Sequence, residues 1–241
     1  YRPFDIRHIF YHELLIERSR YDLMQHMLER NLGLTIGRAG QVVGLEYLWN
    51  LVFVSENIID FNLYYRGGEL LFPLYIYKDK VEKKSHFHTF MLFEPEADYR
   101  RKDKIPNIDK AVYEKLDKTY KKKLTPEEIL HYIYAVFYSN IYRRKYAEFL
   151  KIDFPRVPFT IDHKVFIKMT ELGNQLTDLH LMKNDLLDKP IAKYQGRDDN
   201  DKIEKIVYSS EEQRIYINKE KYFDNVSPEL WNYQIGGYQV L

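Results

Sequence analysis

Tyr146-Ala147-Glu148-Phe149-Leu150-Lys151-Ile152-Asp153-Phe154-Pro155-Arg156-Val157-Pro158-Phe159 is the stretch on which the reading of this chain turns. A helical pattern runs into it, and a longer one begins at Asp162. Pro155 and Pro158 each lack a backbone donor and hold the preceding residue out of the α region, so the chain is extended here. The expectation is a fixed joint at which a compact body hands over to a helical arm.

Beyond the joint, Val165, Phe166, Met169, Leu172, Leu176 and Leu179 recur every three or four residues, which predicts an amphipathic helix reaching about Asn184. Pro190 and the loop Gly196 to Asp201 close it off. Ile203 to Tyr208 and Arg214 to Asn218 alternate apolar and polar residues around Ser209 to Glu212 and predict a hairpin. Before the joint, Thr125-Pro126-Glu127-Glu128 reads as a capping box with proline at the first helical position. Ile129, Ile133, Val136 and Phe137 form that helix's apolar stripe. Ser139 caps the next helix, which carries Ile141, Tyr142, Tyr146 and Phe149.

The first half reads differently. Tyr1 to Tyr11 is extended, and Ser19 is placed to cap a helix through Glu29 with Leu23, Met24, Met27 and Leu28 on one face. Gly33 ends it, and Leu34-Thr35-Ile36 opens a strand. From there to about residue 93 the pattern is strand-like and broken by Gly37, Gly40, Gly44 and Gly67-Gly68. Phe53, Ser55 and the run Leu70 to Tyr77 fit short strands, while residues 78–84 and 94–107 read as charged loops. Strands first and helices later predict an α+β fold. The expected form is a mixed or antiparallel β-sheet body with flanking helices, then a long helix and a C-terminal β-hairpin. The body takes residues 1–160, and residues 161–241 pack on it as one continuous module.

Composition excludes more than it assigns. The 241 residues contain no cysteine, so disulfides, thiolate zinc sites and cysteine nucleophiles are all ruled out; a cytoplasmic setting follows as the expectation. No apolar run approaches the length of a membrane span, so no membrane partner is expected. The first residue is Tyr1, not Met, and the expectation is a fragment or processed piece of something longer. Lys plus Arg is 37 against 36 acidic residues, so any nucleic-acid binding must rest on charge gathered on one face. The 22 tyrosines suit half-exposed strands and wet interfaces, since each joins an apolar ring to a hydroxyl that needs a partner.

Catalytic motifs are absent: the sequence has no Walker-type phosphate loop, no Gly-x-Ser-x-Gly, no His-Glu-x-x-His and no Asn-Pro-Pro-Tyr/Phe. His86-Phe87-His88 sets two imidazoles on one face of a strand without a third ligand nearby, and Asp79 with Glu82 and Lys84 reads as a solvated turn, so neither a metal nor a catalytic site is assigned. Arg38-Ala39-Gly40-Gln41 is chemically more specific. Arg pairs bidentately with guanine and Gln with adenine in the major groove, although a plain turn reads equally well from these residues alone. Asn57, Tyr65 and Arg66 are further base-reading candidates on the same strand-loop face. Lys121 and Lys122, before the capping box, and Arg143 and Arg144, on the helix after it, are candidates for phosphates or equally for a solvated face.

Four segments together resemble the C-terminal specificity domain of type ISP restriction-modification enzymes and related adenine methyltransferases. They are Tyr1-Arg2-Pro3-Phe4-Asp5-Ile6-Arg7, Leu71-Phe72-Pro73-Leu74-Tyr75-Ile76-Tyr77, the joint Tyr146 to Phe159, and Trp231-Asn232-Tyr233-Gln234-Ile235-Gly236-Gly237-Tyr238-Gln239-Val240-Leu241. Two features depart from the family: Arg18-Ser19-Arg20 stands where relatives tend to have Arg-Pro-Arg, and the basic segment that follows Gly-Gly-Tyr in relatives is not present. The resemblance implies a non-catalytic target recognition domain for double-stranded DNA, joined to an N-terminal methyltransferase domain of the same bacterial-type polypeptide. It needs no cofactor itself, S-adenosylmethionine belonging to the methyltransferase. Arg2 and Arg7 are expected at the junction of the two domains. The alternative is a protein–protein docking scaffold in the same complex, with the long helix as its surface.

Overall fold

The computed structural model describes residues 3–12, 14–37, 48–65, 67–78, 103–197 and 199–241. The first helical turn is α1 (Tyr21–Met24), followed by a 3₁₀ turn at Gln25–Met27. This is shorter than the helix expected from Ser19 to Glu29. The residue before α1 is Arg20 in the left-handed region (φ 52°), with no side chain capping the helix. Without a cap, and with no residue of α1 buried, little extends it.

Three antiparallel strands follow: β1 (Gly33–Gly37), β2 (Val52–Ser55) and β3 (Glu69–Pro73), in the order β2-β1-β3. The register sets Gly33 opposite Ser55 and Pro73, Ile36 opposite Val52 and Leu70, and Gly37 opposite Glu69. The apolar run Leu70 to Tyr77 is divided at Leu74, whose N–H turns to Leu32 O (2.7 Å). Its second half, β4 (Tyr75–Lys78), pairs with β5 (Asp103–Pro106) in a separate ribbon. Residues 103–106, expected as loop, are therefore strand. Asn31 fixes the ribbon by exchanging both hydrogen bonds with the Tyr75 backbone.

Helix α2 (Lys110–Tyr120) was not expected from the sequence. Asp109 caps it by accepting from Ala111 N (2.7 Å), and it buries Leu116 and Tyr120. The capping box of α3 (Pro126–Tyr138) is present in both directions, and Ser139 caps α4 (Asn140–Lys145), which leads to the short α5 (Ala147–Leu150). Helix α6 (His163–His180) starts at Asp162, whose carboxylate accepts from Lys164 N and Val165 N. It ends four residues before Asn184. Met182 turns left-handed (φ 60°), with Met182 N bonded to Leu179 O and Lys183 N to Asp178 O, the hydrogen-bond pattern of a Schellman cap.

The long helix is not a free arm. Gly173 brings it against α3 so closely that a β-carbon there would lie 1.9 Å from His131 O. Phe166 and Thr177 are buried on the same side, and Tyr134 OH reaches His180 Nδ1 (2.5 Å). After a 3₁₀ turn at Asp185–Asp188, four short strands form one antiparallel sheet. They are β6 (Lys193–Gln195), β7 (Val207–Ser209), β8 (Arg214–Tyr216) and β9 (Tyr222–Asp224), in the order β6-β9-β8-β7. The expected hairpin is its β7–β8 pair. The chain closes with α7 (Pro228–Trp231) and the hairpin β10 (Gln234–Ile235) and β11 (Tyr238–Gln239). Gly236 (φ 60°) and Gly237 (φ 80°) make its turn, the two positive φ values that a two-residue hairpin of this hand requires.

Candidate nucleic-acid interface

The joint is held by side-chain hydroxyls. Pro155 and Pro158 leave its carbonyls without ladder partners, and tyrosines from three helices supply them. Tyr142 OH donates to Arg156 O (2.9 Å), Tyr132 OH to Pro158 O (2.8 Å), and Tyr120 OH to Thr160 O. Tyr132 OH also accepts from Thr160 N (3.1 Å). Phe159 and Phe166 stack on either side of the Tyr132 cluster, at 5.3 and 4.8 Å between ring centroids. Burial pushes the Tyr120 and Tyr142 phenols up to about 12, so both remain donors at any working pH. Part of the tyrosine excess is thus backbone satisfaction, which composition alone does not disclose.

The three-stranded sheet sets the geometry of the candidate interface. Gly37, Val52 and Glu69 lie at one end of it, by register. The connection from β1 to β2 therefore leaves and returns at that end, and the connection from β2 to β3 returns there through Tyr64, Tyr65, Gly67 and Gly68. The C-terminal hairpin clasps both. Gly236 N donates to Asn50 O (3.1 Å), Gly236 O accepts from Tyr65 N (2.8 Å), and Asn50 Nδ2 donates to Gln234 O (3.2 Å). Tyr64 lies so near Gly236 that a β-carbon would meet its ring at 2.0 Å. Tyr238 abuts the Tyr65 ring edge-on at 5.7 Å. The Gly-Gly-Tyr motif is thus a fastener for the two connections.

The base-reading candidates divide accordingly. Tyr65 is half exposed at this end (46%), its backbone fixed by Gly236. Arg38, Gln41 and Arg66 lie outside the described residues. Asn57 is exposed, but it leaves β2 beside Ser55, opposite Gly33, about 13 Å away along the strand. Its role in the fold is local, an exchange of hydrogen bonds with Ser55 Oγ at 3.0 Å.

Among the phosphate candidates, Arg144 is exposed on α4, and Lys121 is exposed with φ 51° at the end of α2. Lys122 is exposed too and pairs with the capping-box Glu128 (2.9 Å), an ion pair of the surface kind worth at most about 1 kcal/mol. The Arg143 guanidinium is turned inward. Nε donates to Phe137 O (2.6 Å), and the group lies over Tyr138 at 4.5 Å and towards Trp49 at 5.9 Å. Burial lowers its pKa from the ordinary value, the cost of holding a cation there. Its work is to join α4 to α3, and a phosphate would have to pull it out.

Arg2 lies outside the described residues, as do His86, His88, Asp79, Glu82 and Lys84. Arg7 is exposed, with Nε 2.9 Å from Asp5 Oδ1. Phe4, in the same segment, packs edge-on against Phe53 (5.2 Å) and against His180 (6.0 Å). The His180 ring also stacks on Phe53 and touches Tyr138, and burial, then Arg143, holds its pKa down to about 4. Among the described residues, no three His, Asp or Glu gather to hold a metal, and no helix is long and apolar enough to cross a membrane.

An antiparallel sheet whose connections meet at one fastened end, backed by helices, is a frame suited to presenting loops for recognition. The profile of the Type ISP C-terminal specificity domain matches residues 1–241, and the chain belongs to that family. The fold is similar to that of the ATP-dependent type ISP restriction-modification enzyme LlaBIII bound to DNA, with a TM-score of 0.71 at 23% identity over 98% of this chain. It is also similar to the DrdV–DNA complex (0.70, 18%, 99%). A nuclease-deletion mutant of the type ISP enzyme LlaGI, in complex with a DNA substrate mimic, gives 0.55 at 20% identity over 88%. This chain spans 14%, 22% and 16% of those chains. No curated protein matches it in sequence.

Proposed function

We infer that this chain recognises a target sequence in double-stranded DNA for a type ISP restriction-modification enzyme. The observation that carries the reading is the clasp of Gly236 on Asn50 and Tyr65, which fixes both connections at one end of the sheet. Base readout needs side chains held to within a fraction of an ångström, and loops achieve that only when their backbones are fixed. Tyr65, with Arg38, Gln41 and Arg66 on the same two connections, is proposed to read base edges. Lys121, Lys122 and Arg144 hold phosphates and set register. Asn57, exposed on the β2–β3 connection, is a further candidate.

The parent polypeptide is proposed to carry an adenine-N6 methyltransferase domain on the N-terminal side, with Arg2 and Arg7 at the junction. That domain binds S-adenosylmethionine and acts on a flipped adenine. The test is to sequence the methylated genome of a host expressing the full-length enzyme, with and without Arg38→Ala. Loss of discrimination at one base pair, by about 1–3 kcal/mol, is expected. Unchanged recognition at every position of the site sinks the base-reading assignment.

A second reading, docking within the same complex, draws on the outer side of α6. There Val165 and Leu172 are half exposed (48% and 51%), while Phe166 and Gly173 face inward. Val165→Ser with Leu172→Ser in the full-length enzyme distinguishes the two: an unchanged site with altered assembly supports docking there.

A further inference from the structure

Tyr64 sits at the centre of the fastened end, in the connection from β2 to β3, and it is wholly buried (0% exposed). A phenol buried that completely needs a partner for its hydroxyl, and Thr35 in the middle of β1 supplies it. Tyr64 OH lies 2.5 Å from Thr35 Oγ1 and donates to Thr35 O (3.1 Å), while Thr35 Oγ1 donates in turn to Phe53 O on β2 (3.2 Å). Thr35 is as fully buried as Tyr64, so this relay is shut off from water. The hydroxyl end of the ring is thereby tied to the central strand and, through Thr35, to its neighbour. The flanks of the ring are held as well. A β-carbon on Gly37, the last residue of β1, would lie 3.0 Å from Tyr64 Cδ2, and one on Gly236 would lie 2.0 Å from Cδ1. The ring is therefore wedged between the point where the β1–β2 connection departs and the turn of the C-terminal hairpin. Its backbone is fixed in the same place. Tyr64 O accepts from Gly67 N (2.9 Å), and the N–H of the next residue, Tyr65, donates to Gly236 O (2.8 Å).

We propose that Tyr64 is a positioning residue for recognition: it touches no base, but it sets where both connections stand on the sheet, so that they address the duplex as one unit. The inference rests on the reading of those two connections as the base-reading surface. A rigid side chain in a close-packed seat transmits a shift instead of absorbing it. Loss of the hydroxyl frees the ring from Thr35, and any movement of the ring is passed to Gly37 on one side and to the Gly236–Tyr65 clasp on the other. Base contacts depend on placement to a fraction of an ångström, whereas phosphate contacts through long Lys and Arg side chains tolerate a small shift. Discrimination between sequences therefore falls while general affinity for DNA holds.

Tyr64→Phe removes the hydroxyl and keeps the ring. The test uses the full-length enzyme, a duplex carrying the motif read from the methylated genome, and duplexes with one base pair of that motif changed at a time. The measurement is the ratio of Kd values, changed over unchanged duplex, with Kd for a motif-free duplex alongside. Such a ratio does not depend on the folded fraction, so a purely structural loss leaves it where it was. Tyr64→Phe should lower the ratio about fivefold or more, part of what one good base contact supplies. The fall should appear at the positions lost in Arg38→Ala and also at those lost in Tyr65→Ala. Binding to the motif-free duplex should stay within about twofold, since phosphate contacts govern it. Thr35→Val leaves Tyr64 only the backbone acceptor, so it should give a smaller fall, and none beyond that of Tyr64→Phe in the double variant. Tyr208→Phe, which removes a comparable bond to Val226 O (2.9 Å) in the C-terminal sheet, should lower stability and leave the ratio alone. Ratios lowered by Arg38→Ala and Tyr65→Ala but not by Tyr64→Phe overturn the positioning role alone. A fall confined to the Tyr65 positions overturns the joint hold on both connections. Ratios unmoved by all three variants overturn the base-reading surface, and the positioning role goes with it.

Discussion

Replacing Tyr132 by Phe removes one oxygen and tests the account of the joint directly. That hydroxyl donates to Pro158 O at 2.8 Å and accepts from Thr160 N at 3.1 Å, while its ring stacks with Phe159 and Phe166. The ring contacts survive the change, so the loss is confined to two hydrogen bonds, each worth about 1 kcal/mol net. Thr160 N–H is half-buried and is left with poor access to water, which adds to the cost. Pro158 is exposed, so its carbonyl regains a water and adds little. The sum is about 2 kcal/mol, which in a chain of 241 residues corresponds to a fall in Tm of about 4–8 °C. Urea denaturation followed by far-UV circular dichroism reads the first figure and a thermal scan the second.

Tyr120→Phe and Tyr142→Phe each remove a single bond to the joint and should cost about half as much. Tyr120 and Tyr132 hold opposite sides of the same residue, Thr160, so their double variant should depart from additivity by at least about 0.5 kcal/mol. A loss below about 0.5 kcal/mol for Tyr132→Phe would refute the reasoning, because the joint would then owe its shape to the prolines alone.

The close approach of α3 and α6 predicts that Gly173→Ala destabilises the chain by about 3 kcal/mol or more in urea, despite the better helix propensity of alanine, because the new β-carbon meets backbone at His131. Arg143→Ala should lower stability by about 2 kcal/mol and leave the salt dependence of DNA binding unchanged, whereas Arg144→Ala should leave stability alone and reduce that slope by about 1. Glu69 and His180 titrate against each other: the raised Glu69 loses stability for the fold as pH rises from about 4.5 to 7, and the lowered His180 gains it from about 4 to 6.5. Glu69→Gln should therefore expose a stability that climbs by up to about 1.4 kcal/mol per pH unit between pH 5 and 6.5 relative to the native chain, read by urea midpoints across that range.

What the sequence disclosed followed from local chemistry. The capping box at Thr125, the cap at Ser139, the helix start at Asp162, the strand at Leu34-Thr35-Ile36 and the extended joint each depend on a few adjacent residues, and each is present. The misses depend on distant partners. Strand β5 exists because β4 pairs with it, and β6 and β9 because they flank a hairpin that was visible. Helix α2 left a fainter signal, Val112, Tyr113, Leu116 and Tyr120 at helical spacing among charged residues. The inward turn of Arg143 left none, because the sequence Arg143-Arg144-Lys145 shows three equivalent cations and only the neighbouring Tyr138 and Trp49 distinguish the first. Glu69 was equally hidden, since a Glu at the start of a strand gives no sign that it will be buried.

The joint and the C-terminal hairpin solve one problem at two places. A recognition loop must vary in sequence, so its backbone cannot be fixed by its own side chains and has to be held from outside. At the candidate interface the holder is Gly236, whose missing side chain lets its N–H and C=O reach Asn50 and Tyr65 past the Tyr64 ring. At the joint the holders are three tyrosine hydroxyls that reach the carbonyls from helices behind. In both places backbone atoms of the held segment take hydrogen bonds from outside it, and at the hairpin the Asn50 side chain adds one more to Gln234 O. The residues quoted for the family resemblance supply the holding groups at the hairpin and the held backbone at the joint, and they leave base reading to the connections between the strands.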